Sequence, residues 1–152
     1  MLLIPDLITF SDAHQAERAN LEANIVVGDD SEVSDRIKDL ANANNQCTLI
    51  TVIPSHNSNI QDEDTRQMAN NLMFFIVKKY DSKGGLVQKT NNYTICQAEA
   101  LALLNKILDL KDAQQDNCLF ADLQPATAPI TPVSNYFNQN GYLLQLTTRT
   151  DF

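Results

Sequence analysis

The chain has 152 residues, with 11 Lys and Arg against 19 Asp and Glu, so it carries a formal net charge of −8. Its length and its hydrophobic content of 43% suit one domain with a single core that needs neither metal nor disulfide staples. The acidic balance argues against the nucleic acid backbone or an anionic membrane as the main binding target, because either needs a positive field.

The opening Met1-Leu2-Leu3-Ile4-Pro5 is apolar, but no Lys or Arg precedes it and Asp6 interrupts it. A secretory signal is therefore not expected and the chain reads as cytosolic. From Ile4 to about Asn24 the pattern is mixed, consistent with a short helix and a loop. Ala23 to Val27 is a β-branched run ended by Gly28-Asp29-Asp30, which predicts a strand and a breaker. Ser31 can act as N-cap for a helix over Glu32 to Asn42, with Val33, Ile37, Leu40 and Ala41 on one face.

Thr48 to Ile53 reads as a strand stopped by Pro54. The polar stretch Ser55 to Asn70 is predicted as a long loop, a candidate arm for binding a partner. Asn71 to Tyr80 follows as the most hydrophobic strand, too continuously apolar for one-sided burial and so central in a sheet. Its run Leu72 to Val77 is the longest apolar stretch, far short of the roughly 18 residues a membrane helix needs.

Asp81 to Gly85 predicts a turn between strand-like segments. Thr94 and Gln97 fit a capping box that starts a helix from Ile95 to about Gln114, with Ala98, Leu101, Leu104, Ile107 and Leu108 as its stripe. Pro125, Pro129 and Pro132 mark a linker. Beyond it, Pro132 to Tyr136 and Tyr142 to Thr148 flank Asn140-Gly141 as a β-hairpin. This order predicts an α+β fold: a mostly antiparallel sheet with two or three helices packed on it and a C-terminal hairpin, in one domain over residues 1–152.

Candidate chemistry is sparse. His14 lies near Asp12 and Glu17, and His56 between Ser55 and Ser58, but no serine has a nucleophile-elbow context, so both histidines are expected on the solvated surface. Asp62-Glu63-Asp64 lacks the spacing of a calcium loop, and Gly84-Gly85 is not expected to precede a helix, so neither a metal site nor a phosphate cradle is predicted. Cys47, Cys96 and Cys118 are odd in number and far apart in sequence, and read as three reduced thiols. Phe74, Phe75 and Tyr80 could stack bases on a sheet, but core packing is the favoured reading.

Charge is unevenly distributed. Residues 1–64 carry a net −9 and residues 65–152 a net +1. Lys78, Lys79, Lys83 and Lys89 gather around Gly84-Gly85. An ordinary solvated turn accounts for them, and so does a subunit interface in which these lysines meet the acidic half of a neighbour, including Asp62, Glu63 and Asp64.

The strand Thr48 to Ile53 with its polar sequel, the strand NLMFFIVKKYD, the helix TICQAEALALLNKILDL and the closing ITPVSNYFNQNGYLLQLTTRTDF together resemble small phage and prophage neck proteins. The likeness is to tail-terminator or tail-completion proteins of phages infecting Bacteroidetes, as an ordered pattern over roughly residues 20–152 and without a residue-level motif. It implies a non-enzymatic virion protein without cofactor, made in the host bacterial cytoplasm. Such a protein self-associates as a ring, typically a hexamer, caps the tail tube protein, joins neck and connector proteins, and lets DNA pass without specific binding. No membrane is involved. The alternatives are a head-completion or connector protein of the same particle, or a small cytosolic adaptor or ligand-binding domain.

Overall fold

The apolar run in the middle of the sequence becomes the middle strand of a five-stranded sheet. The computed structural model describes residues 3–39, 46–60, 66–81, 83–113, 119–120, 122–123 and 128–151. Among these residues eight elements follow one another: helix α1 (Ile4–Glu17), strand β1 (Leu21–Val27), helix α2 (Asp30–Asp39), strands β2 (Cys47–Ile60) and β3 (Arg66–Lys79), helix α3 (Gly85–Asp112), and strands β4 (Ile130–Tyr136) and β5 (Gln139–Asp151). The strand order is β1-β2-β3-β5-β4. Among the described residues only β1 and β2 are parallel, joined through α2; the other pairs are antiparallel. The class is α+β.

Two clusters of apolar side chains cover the two faces of the sheet. On one face Leu72, Phe74 and Ile76 of β3 meet Leu7 of α1 and Cys96, Ala100, Leu103 and Ile107 of α3, with Leu144 and Leu146 of β5 beside them. On the other, Phe75 and Val77 meet Ile25, Val27, Ile50 and Val33 of α2. The alternation of side chains along a strand sends neighbours in sequence to opposite layers.

Several boundaries differ from the sequence reading. The stretch Ser55 to Asn70 is largely strand rather than loop: β2 runs through Pro54 to Ile60, and β3 begins at Arg66. The register shifts between Val52 and Ser55, so Pro54, which has no N–H to give the ladder, sits at the irregularity and pairing resumes beyond it. The N-cap of α2 is Asp29, not Ser31. Its Oδ1 accepts from the Ser31 and Glu32 N–H groups at 2.9 and 3.2 Å and from the Ser31 hydroxyl at 2.6 Å. The predicted end of that helix, Leu40 to Asn42, lies outside the described residues.

Helix α3 starts at Gly85, ten residues before its expected first residue Ile95. Gly85, with φ of 68°, opens the helix, so Gly84-Gly85 precedes a helix after all. Thr94 is an interior residue whose hydroxyl donates to the Thr90 carbonyl at 3.0 Å, and Thr90 donates likewise to Leu86 at 2.9 Å. Each hydroxyl turns back onto the preceding turn, where a cap would turn forward.

The hairpin is also displaced. Its two-residue loop is Phe137-Asn138, both at positive φ (48° and 61°), between the paired residues Tyr136 and Gln139. Asn140 and Gly141 lie inside β5, opposite Lys78 and Val77. A Cβ at Gly141 would stand 2.0 Å from the Ile76 carbonyl oxygen, so the glycine serves close strand approach rather than a turn.

Replacing Gly141 with alanine is expected to cost about 1–3 kcal/mol in urea unfolding, by forcing β3 and β5 apart. Thr94→Ala should change stability by less than about 0.5 kcal/mol, whereas loss of a true N-cap would cost about 1 kcal/mol.

Candidate functional site

The two histidines are held in unrelated surroundings. His14 is only 2% exposed, a departure from the surface position expected for it. It shares the inner face of α1 with Leu7 and Ser11, at spacings of four and three residues, and stacks beside Phe10 at 6.4 Å between ring centroids. Both ring nitrogens are buried without a hydrogen-bond partner among the described residues. Burial first, then the positive charges of Arg18 and Lys106, hold its pKa below the ordinary histidine value, against weaker opposition from Glu99 and Glu17. His56 lies in β2, where its Nδ1 is 2.7 Å from Asn70 Oδ1. Asp62, Glu63 and Asp64 fall outside the described residues.

Beside His14 the seam between α1 and α3 is ionic. Glu99 is 1% exposed, and Arg18 grips it through Nε and Nη2 at 2.8 and 3.1 Å while Asn20 donates at 2.9 Å. Burial alone would raise the Glu99 pKa; the hydrogen bonds from Arg18 and Asn20 and the guanidinium charge outweigh it, and the carboxyl ends below its usual value. Glu99 sits on the buried stripe of α3 with Cys96, Leu103 and Ile107. That periodicity was the sequence signal that would have marked it as an acid in need of a buried partner.

The four lysines around Gly84-Gly85 separate. Lys78 faces the α3 layer and is 6% exposed, so it is not available as a surface contact. Its neighbour Lys79, on the opposite pleat, is exposed, as is Lys83, while Lys89 is half-buried in α3. Between them stand Leu86 and Val87, 79% and 84% exposed in the first turn of α3. Their backbone position is fixed from both sides: Asp81 Oδ1 accepts the Lys83 N–H at 2.9 Å, and Asn92 Nδ2 donates to the Lys79 carbonyl at 3.0 Å.

An acidic counterpart lies at the start of α2, where Asp29, Asp30 and Glu32 are exposed. The Tyr136 hydroxyl donates to Asp30 at 2.8 Å, tying that end of the helix across the sheet to β4. Phe75 stacks flat on Tyr136 beneath, at 4.5 Å between centroids.

The polar strands predicted as a loop form a three-stranded arm. It consists of the distal parts of β2 and β3, paired from Ser55 and Asn71 to Ile60 and Arg66, and of β5, which follows β3 out to Asp151. At roughly 3.3 Å per residue, the 14 residues of β2 span about 46 Å. Inside the arm Asn70, fully buried, receives His56 on one side and reaches the Thr148 hydroxyl at 3.3 Å on the other. Hydrogen bonds thus do in the arm what apolar packing does in the body.

The cysteines, distant in sequence, are close in space: Cys47 Sγ and Cys96 Sγ are 3.5 Å apart and both buried. Cys118 lies outside the described residues. Among the described residues no three His, Cys, Asp or Glu side chains are grouped to hold a metal ion, and no helix is long and apolar enough to cross a membrane. Phe74 and Phe75 are both core residues on opposite faces of β3. Comparison with protein families, with curated proteins and with solved structures gives no match for this chain.

The seam between α1 and α3 makes stability fall with acid in two steps. His14 binds its proton more weakly in the folded chain than its unfolded value of about 6.5. Its contribution is complete above that pH and is lost as pH falls below it, at up to about 1.4 kcal/mol per pH unit for one proton. Glu99, whose folded pKa is lowered, keeps its contribution down to its unfolded value of about 4.3 and loses it below. Unfolding free energies measured between about pH 7 and 5 should therefore decline more steeply for the wild type than for His14→Leu. Parallel curves would assign the step to another group.

Proposed function

We propose that the chain is a non-enzymatic structural subunit of a phage particle: a tail-terminator or tail-completion protein that forms a ring at the head-tail junction, caps the tail tube and joins it to the neck. The observation that carries this reading is the exposed apolar step Leu86-Val87, set among Lys79, Lys83 and Lys89 on one side of the subunit's charge division. Adjacent large aliphatic side chains left this exposed favour a protein contact, since water gains nothing from them. The occupant we assign is a second copy of the chain. Its N-terminal 64 residues carry a net −9, and the exposed Asp29, Asp30 and Glu32 at the start of α2 offer a surface complementary to the lysines.

Pairing two different surfaces of identical subunits is head-to-tail, and closes as a ring when the rotation between copies divides a full turn. Burial of Leu86 and Val87 would supply much of the attraction, and the charges would set orientation. The polar arm suits a second role, reaching a neighbouring subunit or the tail tube with its outer strand β2. A ring with acidic walls would repel phosphates and let DNA slide, where basic walls would hold it.

Light scattering of the purified chain, alone and with tail tubes, tests the reading. The wild type is expected as a discrete multimer or as tube-capping particles. Leu86→Asp combined with Val87→Asp should leave the melting temperature nearly unchanged and shift the population to monomer, because both side chains are solvent-exposed in the isolated subunit. A double variant that assembles as the wild type does would sink the proposal.

A further inference from the structure

Cys47 and Cys96 are set up for a reaction that neither their sequence positions nor the proposed assembly suggests. Cys47 is the first residue of β2, its N–H donating to the Asn20 carbonyl at 2.8 Å, and Cys96 lies one turn before Glu99 on the buried stripe of α3. Both side chains are fully buried in the same apolar cluster. Their sulfurs are 3.5 Å apart, against roughly 2.05 Å in a disulfide, so bond formation requires them to close by about 1.5 Å.

The surroundings distinguish the two sulfurs. The Cys96 S–H is within reach of the Cys47 sulfur and of the Asn140 carbonyl oxygen, the latter at 3.7 Å. The hydrogen bond from Cys96 lowers the Cys47 pKa and, more weakly, the Lys78 ammonium does the same, while burial works against both. The same bond, burial and the Cys47 charge push Cys96 up. Lys78, which the surface cannot use, thus has a local electrostatic effect within the core.

We propose that Cys47 and Cys96 form a dithiol that hydrogen peroxide converts to an intramolecular disulfide, stitching helix α3 to the start of strand β2. Cys47 is the nucleophile. As thiolate it attacks one peroxide oxygen; the S–O bond forms, the O–O bond breaks, and the departing hydroxide takes up the proton that Cys47 released, giving a sulfenic acid and water. Cys96 then attacks the Cys47 sulfur. The S–S bond forms, the S–O bond breaks, and the sulfenic hydroxyl leaves with the Cys96 proton as a second water. Sulfur is oxidised by two electrons in total and one peroxide is reduced to two waters. Because neither sulfur is accessible in the closed fold, the first step needs an opening at the start of β2 and is expected to be slow beside that of an exposed thiol.

The test uses the full chain, reduced, freed of reductant and treated with hydrogen peroxide near pH 8, then unfolded and alkylated. The expected product is about 2 Da lighter than the reduced chain before alkylation. It has lost two of its three alkylation sites and yields one cross-linked peptide pair containing Cys47 and Cys96; dithiothreitol restores all three sites. In Cys96→Ser, a sulfenic acid trap such as dimedone should label Cys47. Should that variant fail to fold, the wild-type cross-link alone decides. Three alkylatable cysteines after peroxide treatment, a bridge to Cys118, or separate over-oxidation of Cys47 and Cys96 would each overturn the proposal.

Discussion

Strand β3 is apolar on both faces, and the rest of the fold follows from having to cover both. Leu72, Phe74 and Ile76 project to one side, Phe75 and Val77 to the other. A hairpin alone could shield neither. Helices α1 and α3 close the first face, and the parallel β1-α2-β2 crossover places α2 over the second. Where β3 turns polar, between Arg66 and Asn71, helical cover is no longer needed, and this is where the strands continue as the hydrogen-bonded arm. Body and arm are one ladder with two kinds of side chain.

What could be read from the sequence is what depends on burial of apolar residues. The element order and the central place of β3 follow from apolar spacing; the stripe expected on α3 does not hold as read, since Ala98 and Leu101 are exposed, Leu104 and Leu108 are half-buried and only Ile107 is buried, while the buried stripe runs through Cys96, Glu99, Ala100, Leu103 and Ile107. What could not be read depends on partners distant in sequence. The strands on either side of residues 61–65 contain few apolar residues, and only their pairing with each other and with β5 makes them strands. Gly141 has the chemistry of a turn residue and is used because the Ile76 carbonyl lies too near for a side chain. The first ten residues of α3 carry no apolar stripe, since Leu86 and Val87 face water. In the candidate interface the lysines were visible as a group, but the pleat of β3 sends Lys78 inward and Lys79 outward, a distinction that needs the register of the strand.

The seam between α1 and α3 shows how two buried polar groups a short way apart can be treated oppositely. Glu99 receives three hydrogen bonds from Arg18 and Asn20 and remains ionised, while His14 receives none at either nitrogen from the described residues. Arg18 and Lys106 already supply positive charge, matched by Glu99 and Glu17. A protonated His14 would add an unmatched cation in a place that water cannot reach, so the same ion pairs that hold the helices together at neutral pH keep the histidine neutral. Removing Glu99 alone would leave Arg18 unpaired and ease none of this, which is why such a pair is poor evidence of surplus stability and good evidence that the two helices are docked in one register.

Symmetric closure makes a demand that charge complementarity does not: the two surfaces that meet must be fixed relative to each other within every subunit. Here both are referred to the same end of the sheet. The lysine-flanked start of α3 is tied to β3 by Asn92 donating to the Lys79 carbonyl. The acidic start of α2 is tied to β4 by Tyr136 donating to Asp30. Lys79 pairs with Gln139, and Gln139 pairs with Tyr136, so the two anchors flank the same β5 residue from the strands on either side of it. A change in the hairpin loop Phe137-Asn138, whose Phe137 ring meets Tyr136 edge-on at 4.8 Å between centroids, would therefore act on the angle between the two surfaces, and under the proposed assembly that angle governs the ring's curvature while Leu86 and Val87 govern its strength.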